Sequence, residues 1–343
     1  MKAKQIFSIL VILLFSLASC REVTVTTVIH EDGSFTRIFT ITGDSSDVFF
    51  SKNLPYPVDS TWIKEYSKDT TRSNNFSLTY SKTFRKSKEL NDEVAADTGW
   101  RKQLYRHFDI GKSFGFFYSY PKYREVIKAA NPFREYDYQD YLDQEDILWL
   151  SGQKIALNKV DSARLESADE RANEYFEDVV SREIIKVLQK AIAGLDDQEL
   201  LSQDVILYQD SIKHYLDNNW DHPDNYIELY YEWTKNPAVK KLNDIEPPIF
   251  QELNKKVHFL IEVLLMESYT VEAELPGIIM ETNSAKLEGN KVEWKVDPMS
   301  FMFEDYMMYA QSRIVNIWAY WLSGGILVLL ILVLVIKLVV RGK

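Results

Sequence analysis

From Ile314 to Ile336 the chain carries no charged side chain, a run of 23 residues. As a helix rising about 1.5 Å per residue, that run is about 34 Å long, enough to cross a hydrocarbon core of about 30 Å with some tilt. Trp318, Tyr320 and Trp321 stand at its start, where amphipathic rings favour the headgroup layer. Lys337, Arg341 and Lys343 follow, and the positive-inside tendency puts this end in the cytoplasm. A buried core helix is the alternative, which the length and the Leu/Ile/Val density oppose. The sequence therefore predicts a transmembrane helix and short tail over 314–343, with everything before Arg313 outside.

The front of the chain adds a second membrane signal. Lys2 and Lys4 precede an apolar stretch from Ile6 to Leu17, too short to span and shaped like a secretory signal peptide. Leu17-Ala18-Ser19-Cys20 matches the lipobox of bacterial lipoproteins. That resemblance implies cleavage after residue 19 and a diacylglyceryl group on the Cys20 sulfur. An ordinary signal with a chance cysteine is the competing reading. Cys20 is the only cysteine, so no disulfide is available and the fold must rest on its core. Both ends place the ectodomain on the same side, in the periplasm, at the bacterial inner membrane.

Of the 40 basic residues, five lie outside 21–313, leaving 35 against 51 acidic ones, a net of −16. Such a surface repels phosphate backbones, so nucleic acid is excluded as a partner. The ectodomain opens with "VTVTTVIHEDGSFTRIFTITG", two alternating runs around Asp32-Gly33 that predict a β-hairpin. "FSLTYSKTF" (76–84) and "FGFFYSYPKYREVI" (114–127) are further extended segments. Near 165 the apolar period changes to that of a helix, with Tyr175, Val179, Ile184, Leu188 and Ile192 on one face and a stop at Gly194. Further helices are expected near 198–218, 224–234 and 248–266. Strands return in "YTVEAEL" and around the Gly289-Asn290 turn, where Val292, Trp294 and Val296 share a face.

The expected fold class is α+β: a split antiparallel sheet built from N- and C-terminal strands, with a helical insertion and the C-terminal helix. The expected divisions are a signal peptide 1–19, a β-rich half 20–164, the insertion 165–266 and completing hairpins over 267–313.

The lipobox cysteine leading into a "DGS" hairpin, "ELPG" (274–277), the "EGNKVEW" hairpin (288–294) and a membrane helix together resemble bacterial lipoproteins with an LppM-like domain. The resemblance covers 21–45 and 268–343 and implies handling of envelope lipids; the helical middle departs from the pattern. "FGFFYSYPKYREV" and "SRIVNIWAYW" are similar to stretches of uncharacterised lipoproteins of the Bacteroidota. Neither resemblance transfers a functional residue.

Two constellations stand out. Asp217, Asn219, Asp221, Asn225 and Glu228 fall at positions 1, 3, 5, 9 and 12 of a calcium loop. The glycine needed at position 6 is His222, however, and Pro223 holds that residue extended, so an interhelical turn is the plainer reading. Phe114, Phe116, Tyr118 and Tyr120 are expected on one strand face, as sheet core or as the lining of a lipid groove. The five histidines show no metal-ligand spacing. "YLDQEDILW" (141–149) offers carboxylates of the kind a glycosidase pairs, or the solvated start of a helix. No nucleophile or phosphate-binding motif appears, and no cofactor is called for. The function expected is a membrane-anchored lipoprotein binding an envelope lipid or a protein partner without catalysis. The alternatives are a structural subunit of an inner-membrane complex and a hydrolase with an unrecognised site.

Overall fold

The computed structural model describes residues 21–45, 48, 55–68, 76–98, 100–154, 158–195, 200–219 and 226–341. The signal segment, Cys20 and loop residues 221–225 lie outside the described residues. The chain divides into two compact units: 1–127 with 268–296 and 307–343, and 128–267 with 297–306.

The first unit is built on two sheets. Its strands are β1 (Glu22–Ile29), β2 (Phe35–Gly43), β3 (Ile63–Lys68), β4 (Phe76–Phe84), β5 (Arg106–Phe108), β6 (Gly111–Phe114), β7 (Tyr118–Ile127), β8 (Tyr269–Glu274), β9 (Ile278–Thr282), β10 (Lys286–Glu288), β11 (Lys291–Val296) and β12 (Tyr306–Val315). Helix α1 (Ser87–Ala95) follows β4. The larger sheet runs β10-β11-β8-β1-β2-β4-β3, and the smaller runs β5-β7-β12-β9 with β6 paired to β7. The N- and C-terminal strands thus share one sheet, as the alternation predicts. The joint itself is parallel, with Thr24 opposite Thr270 and Val28 opposite Glu274, whereas the larger sheet's other pairs are antiparallel. A parallel pair needs a long crossover, and residues 128–267 of the second unit lie within that crossover.

Strict alternation explains the sandwich. In β2 the odd positions Phe35, Arg37, Phe39 and Ile41 are buried, and the residues between them are half-exposed. Fully burying a Phe or Ile side chain stabilises by roughly 1.5–3 kcal/mol, and truncating Phe39 to Ala would cost about 3–5 kcal/mol. Tyr123 of β7 stacks on Trp294 of β11, ring centroids 5.5 Å apart, so the inner faces of the two sheets meet.

The second unit is helical: α2 (Gln144–Leu150), α3 (Lys159–Gly194), α4 (Gln209–Asn219), α5 (Tyr226–Thr234) and α6 (Gln251–Leu264). The long α3 begins six residues before the predicted 165, because Asn158 accepts from Val160 and Asp161 N–H and caps it. Its buried stripe includes Ala168, Ala172, Tyr175, Val179 and Leu188. The expected helix near 198–218 is a 3-10 stretch over Ser202–Tyr208 followed by α4. Asp178 is buried on α3 and held by Lys213, Arg182 and the Tyr141 hydroxyl.

The last element, α7 (Ile317–Arg341), belongs to the first unit. It starts three residues later than the uncharged run, because Ile314 and Val315 complete β12. Its segment Ile317–Lys337 has a mean hydropathy of 2.6 and is only 6% buried.

Candidate membrane-facing site

The exposed start of α7 is gripped by the β6–β7 hairpin. Asn316, the residue between β12 and α7, is the clasp. Its side-chain N–H groups donate to the carbonyls of Gly115 (2.7 Å) and Phe116 (3.1 Å), and its Oδ1 accepts from the Ser119 hydroxyl (2.9 Å). Its backbone N–H donates to Phe117 O at 2.9 Å. The hairpin tip is tight: a Cβ at Gly115 would stand 2.7 Å from Tyr118 O.

Around this clasp lies a collar of rings. Phe114 stacks on Trp318 at 6.1 Å, Phe116 meets Trp318 edge-on at 5.3 Å, and Phe117 packs on Tyr320 at 5.1 Å. The Tyr320 and Tyr118 hydroxyls are 3.1 Å apart, and the Arg313 guanidinium sits 4.6 Å over the Tyr118 ring. These rings are not core. Phe114 is 68% exposed and Trp321 77%. Aromatic bodies with polar tips, mounted where an apolar helix leaves a folded unit, are suited to a bilayer's headgroup layer.

The expectation that Phe114, Phe116, Tyr118 and Tyr120 share one strand face is corrected here. Phe114 ends β6, Phe116 lies in the turn, and Tyr118 and Tyr120 are on β7. Phe114 pairs with Ser119 and Ser113 with Tyr120, so Phe114 falls on the face opposite Tyr120. Alternation along β7 buries Ser119, Pro121, Tyr123, Glu125 and Ile127 instead.

That inner face carries a group the sequence reading missed. Glu125 accepts from Arg37 Nη2 at 3.1 Å, from the Tyr123 hydroxyl at 2.6 Å and from the Tyr56 hydroxyl. Arg37 Nη1 donates to Thr27 Oγ1 at 3.0 Å. A second guanidinium, Arg106, stands 3.8 Å from Glu125, and both guanidinium carbons lie over the Tyr56 ring at 4.3 and 4.4 Å. Burial pushes the Tyr56, Tyr123 and Tyr269 hydroxyls above their ordinary pKa, so all three stay protonated at neutral pH. The signal was present: Arg37 and Glu125 occupy the inward phase of alternating strands, where a charge has no reason to be unless it is paired.

Of the calcium-loop candidates, Asp217 and Asn219 end α4 and Glu228 lies exposed in the first turn of α5; Asp221 and Asn225 lie outside the described residues. The 141–149 carboxylates serve a helix start. Asp143 and Asp146 form a reciprocal cap on α2, and buried Asp146 is paired with Arg171 and, at 3.1 Å, Arg164. His30 bonds Thr36 at 2.9 Å, while His107, His214 and His258 are exposed. Among the described residues no three His, Cys, Asp or Glu side chains gather as a metal site.

No protein-family model matches the chain, and no curated protein matches it. Among solved structures, the NMR structure of the folded domain of the LppM protein of Mycobacterium tuberculosis is similar at 9% identity over 86% of this chain and 91% of that one, with a TM-score of 0.26. So slight a likeness carries no argument about fold or function. It is a partial counterpart to the expected LppM-like resemblance, and the Bacteroidota resemblance finds none.

Proposed function

We propose that this protein is a bacterial envelope lipoprotein, held at the inner membrane by α7 and by a diacylglyceryl group on Cys20. Its ectodomain faces the periplasm and its C-terminus the cytoplasm, and it binds an envelope lipid or a membrane-protein partner without catalysis. The observation that carries this reading is an apolar helix that leaves a folded unit almost wholly unburied, with a ring collar at its exit. At 21 residues the span is about 31 Å long, which matches a hydrocarbon core of about 30 Å. A diacylglyceryl group brings two acyl chains, enough for a stable anchor, and a spanning helix does not leave at all; α7 alone therefore suffices for retention.

The test is alkaline carbonate extraction of membranes, combined with protease treatment of spheroplasts. The proposal requires the full chain to stay in the pellet and the ectodomain to be digested from outside, with residues beyond 337 protected. Release by carbonate, or an ectodomain shielded in spheroplasts, rules it out.

A further inference from the structure

Among the described residues, the inner faces of the first unit enclose two guanidiniums and one carboxylate. All three are withdrawn from water: the side chains of Arg37, Arg106 and Glu125 are 0%, 2% and 0% exposed. The balance is one positive charge in excess, at a depth where an unpaired charge is strongly disfavoured.

One carboxylate cancels only one of the two positive charges, and donors other than Arg106 are bonded to Glu125. Three donors already occupy its oxygens: Arg37 Nη2, Tyr123 and Tyr56. At 3.8 Å from the nearer oxygen, Arg106 lies beyond hydrogen-bonding distance. Among the described residues, neither of its terminal nitrogens, nor Arg37 Nε, nor the Tyr269 hydroxyl has a well-formed hydrogen bond, and all are buried. Tyr269 belongs to the same pocket of donors, since Arg106 lies 5.8 Å from its ring. Unspent donors of this number and uncancelled charge of this sign ask for one and the same thing. A water would accept hydrogen bonds but leave the charge; an anion answers both.

We propose that the Arg106 guanidinium, with Tyr269 and Arg37 beside it, holds a small inorganic monoanion of halide size between the two sheets. A monoanion brings the group to neutrality. The Tyr56 and Tyr269 rings flank the Arg106 guanidinium at 4.4 and 5.8 Å. The anion would be a structural component of the sandwich, bound by the folded chain and released on unfolding.

The experiment uses the full-length protein in detergent, with chloride and bromide as probes and gluconate at equal ionic strength as the control. Because the folded state alone binds, the unfolding midpoint should rise with halide concentration and level off only logarithmically. Crystals grown in bromide should show an anomalous peak within hydrogen-bonding reach of Arg106 Nη1 or Nη2. Arg106→Met removes the excess charge together with the donors, and should abolish the halide dependence. A midpoint that follows ionic strength alone overturns the proposal. So does a water at the bromide position, or an Arg106→Met protein that keeps its halide response. Should that variant fail to fold, the bromide map of the unaltered protein decides by itself.

Discussion

Arg37 on β2 and Glu125 on β7 meet at 3.1 Å between the two sheets, 88 residues apart in sequence and neither reached by solvent. Breaking such a pair leaves one uncompensated charge inside the sandwich, at about 3–5 kcal/mol. Glu125→Gln is therefore expected to destabilise the first unit by that order, whereas Arg37→Met, which leaves Arg106 facing Glu125, should cost less. The double variant should recover part of the Glu125→Gln loss, because Arg106 alone is then left without its carboxylate. Chemical denaturation of all four proteins supplies the cycle; additive losses would show that the two side chains do not act as a pair.

Gly277 supplies a second prediction. It has φ +88°, and a Cβ there would press on the Arg313 carbonyl, while Ser312 Oγ donates to the adjacent Pro276 O at 2.6 Å. This close approach fastens the β8–β9 link to the last residues of β12. Gly277→Ala should cost about 1–3 kcal/mol for the backbone conformation alone. It should also speed hydrogen exchange in β9 ahead of the rest of the unit. Unchanged exchange would mean the approach is not a constraint.

How much of this was legible beforehand varied with the range of the signal. The β1–β2 hairpin was plain, because alternation and the Asp32-Gly33 turn are local, and Gly33 takes the positive φ that the turn requires. The shared sheet of the two ends could be anticipated from strand content, but not the parallel sense of β1 and β8, which no residue encodes locally. The phase of β7 was misjudged because aromatic bulk at Tyr118 and Tyr120 looked inward-facing, whereas the inward set includes Ser119 and Pro121. The start of α7 was misplaced because apolarity alone cannot tell a strand's end from a helix's beginning. Asn316 is the punctuation, and its side chain is spent on the hairpin rather than on a helix cap.

That use of Asn316 predicts a local uncoupling. Asn316→Ala removes three side-chain hydrogen bonds between the chain entering α7 and the hairpin, each worth about 1 kcal/mol net. In nanodiscs, amides of 111–120 should exchange faster in this variant, while β1 and β2 stay protected. Equal protection throughout would mean that the ring collar alone holds the junction.

The second unit should be acid-sensitive through Asp178. Burial raises its pKa, but bonds from Lys213 and Tyr141 and the nearby Arg182 outweigh this and set it below the ordinary value. Burial, together with the bond to Asp178, pushes the Tyr141 hydroxyl up to about 12. With the folded pKa depressed, the stabilisation is fully present above the unfolded carboxylate's pKa of about 4. It is lost as pH falls through the lower, folded value. Asp178→Asn should therefore lower the melting point near neutral pH and flatten its fall on acidification. A variant whose acid limb matches the parent's would exclude Asp178 as the group responsible.

The last prediction concerns the two proposed anchors. β8 runs toward the Gly277–Arg313 contact beside α7, and β1 runs parallel to it, so the Glu22 end of β1 lies at the sheet's opposite end. From Glu22 to Val28 the strand extends about 20 Å, and Cys20 is only two residues before Glu22. A lipid on Cys20 and a span at α7 can enter one leaflet only if β1 lies roughly along the membrane surface. Thr42, which pairs with Glu22, reports on this. Because Cys20 is the only native cysteine and is blocked when lipidated, Thr42→Cys accepts a spin label at a single site. Its depth, measured against lipid-borne and aqueous relaxants, should place it near the headgroups in the lipidated protein. Adding Cys20→Ser should leave the protein membrane-bound through α7 while the label moves out toward water. Stopping the chain after Asn316 completes the set: β12 is kept whole, and attachment then depends on the lipid alone. A label equally far from the bilayer with and without Cys20 would show that a lipid on Cys20 does not hold the first strand down.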